Sequence, residues 1–225
     1  MTTKLVGEEF LNAEAIGAGR VVEGYELERC TFVGSALVQW DDPEPSLVVR
    51  DITATRCTLD NCSVVGARFE DVTINHLTVR GGTLYLNGCV FSRVKLSGRI
   101  GPLTAVGPMA GLDRELSPHA DQAMVDAYAS VDWALDVSEA ECAGVELPYV
   151  PGDLVRRDPE TQFLLRRESV EALDPRALPK NADQFLDRLA SSPFDTMVAI
   201  APKRSRYFRS FLETLQAMRE LGLAE

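Results

Sequence analysis

The sequence predicts a β-solenoid plus α architecture, in which an N-terminal portion coils as short strands and a mainly helical C-terminal region follows. Three observations predict it. Apolar residues between positions 47 and 86 recur every five residues. The positions between them hold β-formers and turn formers. Beyond residue 107 the apolar spacing changes to that of amphipathic helices.

Written in fives from Leu47, the third position reads Val49, Ala54, Leu59, Val64, Phe69, Ile74, Val79 and Leu84, all apolar. The first position reads Leu47, Ile52, Cys57, Cys62, Ala67, Val72, Leu77 and Gly82, apolar in seven of eight blocks. The remaining 24 positions hold only four apolar residues, where the overall composition would place about eleven. The second position is Ser or Thr in six blocks, which suits extended backbone, and the fifth is often a turn former such as Asp51, Asn61, Gly66, Asp71 or Gly81. Residues one and three of a strand share a face, whereas five is odd, so an unbroken strand would swap faces at every block. A bend in each block restores the inward direction, and the chain must coil around its apolar residues.

This pattern resembles the pentapeptide-repeat family over roughly residues 25 to 103, with further matches at Tyr25/Leu27, Cys30/Phe32, Ser35/Leu37, Cys89/Phe91 and Val94/Leu96. The resemblance implies a right-handed, four-sided β-helix of about four coils. Residues 1–24 are then expected to cap the first coil, 25–106 to form the coils and 107–225 the helical region. Two spacings depart from five: twelve residues from Leu37 to Val49 and seven from Leu84 to Phe91. Wound four blocks per coil, both insertions fall on one corner, "QWDDPEPS" (39–46) and "YLNG" (85–88). That corner is either loop decoration or a partner-contact ridge carrying Trp40, Asp41, Asp42 and Tyr85.

Cys57 and Cys62 occupy first inward positions, as do Cys30 and Cys89, so they are expected to pack as small apolar residues rather than to bind a metal, which needs further converging ligands. Gly17-x-Gly19 lacks the third glycine of a dinucleotide loop and reads as a turn. Downstream, Ser117-Pro118 is expected to open a helix, Asp158-Pro159-Glu160 to open a second through "TQFLLRRESVEAL", and Asn181 to cap a third. "TMVAIAP" (196–202) reads as a strand, Ser205 as the cap of a last helix stopped by Gly222, and 142–153 as an extended linker.

The net charge of -11 is uneven. Residues 55–110 hold six Lys/Arg against three Asp/Glu, whereas 111–147 hold one against nine. An acidic chain without a broad basic face is a poor nucleic-acid binder. No apolar run is long enough for a membrane helix, the start lacks a signal-peptide pattern, and five cysteines in this length do not suggest a disulfide scaffold, so a cytoplasmic location is expected.

No catalytic, cofactor-binding or metal-binding motif stands out, and no cofactor is expected. His119 lies near Asp121 and Asp126 with no nucleophile in the same element. The segment "APKRSRYFR" puts Lys203, Arg204, Arg206 and Arg209 at the start of the last helix, where an anion or the acidic 111–147 segment would be the natural counterpart. The expected function is that of a non-enzymatic scaffold binding another protein, with a homodimer as one option. The resemblance also implies a second reading, a DNA-mimicking protector of gyrase, against which the positive balance of 55–110 counts. An enzyme using the C-terminal region is the third.

Overall fold

The structure is a computed structural model and describes residues 2–39, 44–108, 117–171 and 177–225. The chain opens with β1 (Thr3–Val6), β2 (Glu9–Leu11) and β3 (Glu14–Ile16), then β4 (Val21–Glu28), β5 (Thr31–Val33) and β6 (Ala36–Val38). Next come β7 (Leu47–Asp60), β8 (Ser63–Val65), β9 (Ala67–Arg80), β10 (Leu84–Asn87), β11 (Val90–Ile100) and β12 (Leu103–Val106). These strands pair in parallel, and the five-residue rhythm becomes a set of ladders. Val22, Val49, Phe69 and Phe91 lie opposite one another in succession, as do Leu27, Ala54, Ile74 and Leu96. Leu37, Val64 and Leu86 form a third row.

The expected architecture is corrected in two respects. The strands do not form a four-sided β-solenoid. Among the described residues they gather into two broad parallel sheets, one of ten strands and one of six, with helices against them in an α/β-like arrangement. The physical reason lies at the expected corners. Asp51 and Arg56 in β7, Asp71 and His76 in β9, and Arg93 in β11 take left-handed φ angles of 52–60°. The ladder skips the 51/71 and 56/76 positions but resumes beyond each in the same register, so β7 and β9 each run for 14 residues and the expected faces fuse.

The second correction concerns the C-terminal region, which is not mainly helical. After α1 (Ser117–Tyr128), strands β13 (Leu135–Asp136), β14 (Ala140–Cys142), β15 (Val145–Glu146) and β16 (Val155–Arg156) extend the same parallel sheets. The expected linker 142–153 therefore lies largely inside the fold, with Cys142, Val145, Leu147 and Val150 buried. Asp158 does not start a helix either. Its carboxylate accepts hydrogen bonds from the Glu160 N–H (3.0 Å) and the Thr161 hydroxyl (2.8 Å), and this turn leads into β17 (Gln162–Arg166). β17 pairs antiparallel with β18 (Thr196–Ile200), and helices α2 (Arg167–Glu171), α3 (Asp183–Ser191) and α4 (Phe208–Glu220) complete the region. Asn181 stands before α3 with φ 64°, and its carbonyl accepts from the Gln184 side chain (3.0 Å). Gly222 stops α4 at φ 74°, where the Leu223 N–H reaches back to the Met218 carbonyl (2.9 Å).

The hairpin explains why its two strands read as nearly unbroken apolar runs. Phe163, Leu165, Met197 and Ala199 face a core shared with Phe185, Leu189, Leu215 and Met218 of the helices. Leu164, Val198 and Ile200 face the main core between the parallel sheets. Both faces are covered, so alternation disappears. The hairpin thus closes the C-terminal end of the parallel sheets. The register also corrects the expected common corner for the two insertions. Leu86, not Leu84, lies opposite Val64, which moves the second insertion to the Gly81–Gly82 turn, and Tyr85 belongs to β10 rather than to a bulge.

Candidate functional site

The cysteines of the repeat region sit inward, as their positions require. Cys30, Cys57 and Cys89 are buried and Cys62 is half-buried. Three of their thiols donate to a carbonyl of the preceding strand row: Cys30 to Leu5 (3.5 Å), Cys57 to Leu27 (3.7 Å) and Cys62 to Phe32 (3.4 Å). Burial pushes the Cys89 thiol up to about 12, which leaves it unionised and inert at neutral pH. Among the described residues no group of three or more His, Cys, Asp or Glu side chains could hold a metal ion. No helix there is long and apolar enough to cross a membrane.

Of the residues singled out in the sequence, Trp40, Asp41 and Asp42 lie outside the described residues. Next to them in sequence, the buried Gln39 amide donates to the Glu44 carbonyl (2.6 Å) and accepts from the Leu47 N–H (2.7 Å). Tyr85 is 55% exposed on β10. In the basic cluster, Lys203 is held by Asp158 at 2.9 Å. The Arg204 N–H donates to the Cys142 carbonyl (3.0 Å), and the Arg206 guanidinium lies over the Tyr207 ring at 4.6 Å. Arg209 is exposed on α4. The acidic segment 111–147 finds other partners: Glu139 pairs with Lys95, Glu141 with Arg99 and Glu146 with Arg188.

A narrow cleft of about 50 Å³ runs between β15, α3 and β18. Its walls include Glu146, Phe185, Arg188, Val198 and Phe211. Arg188 makes a two-pronged pair with Glu146 at 2.9 and 2.6 Å, which ties α3 to the edge of the smaller parallel sheet. The volume suits a few water molecules, so the cleft reads as a joint between the two cores.

The feature with the strongest interaction character is the opposite end of the sheets. β1 pairs only with β4, β2 only with β5 and β3 only with β6 among the described strands, so each leaves one row of backbone N–H and C=O groups without a strand neighbour. Leu5, Phe10 and Ala15 are only half-buried there, with Phe10 stacked on Phe32 at 4.8 Å. Beside these edges stand Val6 (41% exposed), Leu11 (63%), Ile16 (44%) and Val21 (51%). These four are again spaced by five, and they are most of the large apolar side chains that the described surface exposes. Sequence reasoning passed over this end because the first position of each block, Thr3, Glu8 and Ala13, is mostly polar. The usable signal was the double row of Leu5, Phe10, Ala15 and Val6, Leu11, Ile16.

The charges at this end are sorted. Lys4 is held by Glu26 (2.5 Å), Arg29 by Glu28 (3.3 Å) and Arg50 by Glu23 (2.5 Å), while the Arg20 Nε donates to the Ile16 carbonyl (3.3 Å). Glu8, Glu9 and Glu14 are exposed and have no ion pair among the described residues. The end therefore offers free strand edges, an apolar row and unneutralised carboxylates. Comparison with protein-family models, with curated proteins and with solved structures finds no match to this chain.

Proposed function

We propose that this chain is a protein-interaction module that receives another protein on the open end formed by β1, β2 and β3. The observation that carries this reading is the coincidence of three unpaired strand edges with the exposed row Val6, Leu11, Ile16 and Val21. A free edge flanked by apolar side chains is the usual substrate for strand addition, in which backbone hydrogen bonds supply affinity and side-chain pockets supply specificity. The contrast between the two ends supports the same reading. The C-terminal end is closed by the chain's own hairpin and helices, whereas the N-terminal end carries apolar surface that water solvates poorly.

The test is site-specific photo-cross-linking in cells, with the cross-linking residue in place of Leu11 or, as a control on a different surface, Arg99. The expected result is an adduct with one other polypeptide from position 11 that is missing from position 99. Adducts of equal yield from both positions, or none from position 11, would refute the reading.

A further inference from the structure

We infer that the segment received at this end is extended and cationic, with lysine or arginine alternating with apolar residues; this rests on the reading of the end as a docking site. Three features lead to that chemistry. First, the unpaired groups on β1, β2 and β3 are main-chain N–H and C=O rows, and only another extended backbone can satisfy a row of that spacing; a helix uses its own backbone groups internally. Second, Val6, Leu11, Ile16 and Val21 offer apolar contacts beside the edges, and a strand presents alternate residues to one face, so every second residue of the incoming segment is apolar. Third, the charge left over at the end is mostly negative: Arg20 has no ion pair among the described residues and its Nε donates to the Ile16 carbonyl, but three carboxylates stand against it. Lys4, Arg29 and Arg50 are each held by a carboxylate, whereas Glu8, Glu9 and Glu14 are not. β2 and β3 belong to different sheets, so a cationic strand laid on the β2 edge meets Glu9 and one laid on the β3 edge meets Glu14.

The same charges weigh against a second copy of the chain as the occupant. Two copies meeting end to end would bring two sets of Glu8, Glu9 and Glu14 together, and like charges opposite one another on paired strands destabilise the pairing.

The experiment uses the full chain and two fluorescent synthetic peptides, one alternating lysine with valine and one alternating glutamate with valine, followed by anisotropy. The lysine peptide is expected to bind at least about tenfold more tightly. Rising salt should weaken it, because the contacts are exposed. The double variant Glu9→Lys/Glu14→Lys should invert the preference, with an unchanged circular dichroism spectrum as the check that it folds. Equal binding of the two peptides, binding of neither, or a preference untouched by the charge reversal would each overturn the inference. A concentration-dependent dimer in sedimentation equilibrium that excludes the lysine peptide would also overturn it, in favour of a second copy. If position 11 still cross-links to another protein while the peptides are not discriminated, the docking reading stands and only the cationic chemistry fails. If the cross-link is absent as well, both fail.

Discussion

Truncating Phe91 to alanine should be among the most damaging single changes in the parallel sheets. Phe91 is 4% exposed, its ring stacks on Phe69 at 5.6 Å with an interplanar angle of 13°, and its N–H donates to the buried Tyr128 hydroxyl at 3.2 Å. β11 is hydrogen-bonded to β9 on one side and to β13 and β14 on the other, so the backbone around the site cannot collapse into the space the ring leaves. The expected loss is therefore that of an unrelaxed cavity, ~3–5 kcal/mol. Phe69 occupies the same ladder but is only half-buried, and Phe69→Ala should fall at or below the lower end of that range. The stacked pair should add a coupling of ~0.5–1.5 kcal/mol, so the double variant should cost less than the sum of the singles by that amount. Urea unfolding followed by far-ultraviolet circular dichroism measures all three, and for a chain of this size the Phe91 change should lower Tm by roughly 6–20 °C. A Phe91→Ala protein within about 1 kcal/mol of the parent would refute the account of a rigid, shared core.

Gly98→Ala should destabilise by ~1–3 kcal/mol or more, because φ is +64° and the added methyl would fall on the His76 imidazole; His76→Ala in that background should recover part of the unfolding midpoint. The Cys89 thiol is pushed from 9.0 to about 12 by burial, so the folded state favours the protonated form. Its contribution is fully present below pH 9 and should be lost as pH rises from there towards about 12, a decline that Cys89→Ala should flatten in alkaline melting curves. A thiol reagent at mildly alkaline pH should label half-buried Cys62 well before Cys89, as read by mass spectrometry. Burial tends to raise the Asp158 carboxyl, but hydrogen bonds from Lys203, the Glu160 N–H and Thr161 outweigh it and hold the carboxyl low. Stability from this group is present above its unfolded value and lost as pH falls through the lowered one; Lys203→Ala should weaken that acid dependence and cost no more than ~1 kcal/mol at neutral pH in the same unfolding assay.

The inward rows were legible because five is odd and the pleat has period two, so burial at positions one and three could be deduced without knowing how the strands assemble. How they assemble was not legible. Whether Asp51 and Arg56 end a strand or merely bend it depends on left-handed backbone angles that these residues adopt inside a ladder, and nothing in their side chains announces it. The upstream register failed for a related reason. Winding the fives four blocks per coil sets Leu27 opposite Val49, but the structure pairs Leu27 with Ala54 and Val22 with Val49, because one whole extra block is absorbed between Leu37 and Leu47. "TQFLLRR" looked helical because both its faces are apolar, and a doubly buried strand and a core helix share that signature. Its burial depends on the partner β18 and on two separate cores, which is information from elsewhere in the chain. The open end went unnoticed because its significance lies in backbone groups that lack partners, and a sequence pattern describes side chains.

The parallel registers also bear on how the chain is made. Each strand from β4 to β12 pairs with one that precedes it by only a few short segments, so during synthesis every new row finds its template already present and can be laid down in order. The hairpin breaks that order. Leu164 exchanges two backbone hydrogen bonds with Glu225 (3.1 and 2.9 Å), and Leu165 bridges Ala224, so the far edge of β17 waits until the ribosome has passed α4. Growth of the sheets is vectorial, whereas this closure is a late event: the far edge of β17 stays open to chaperones and proteases from the synthesis of Arg166 until Ala224 and Glu225 have been added.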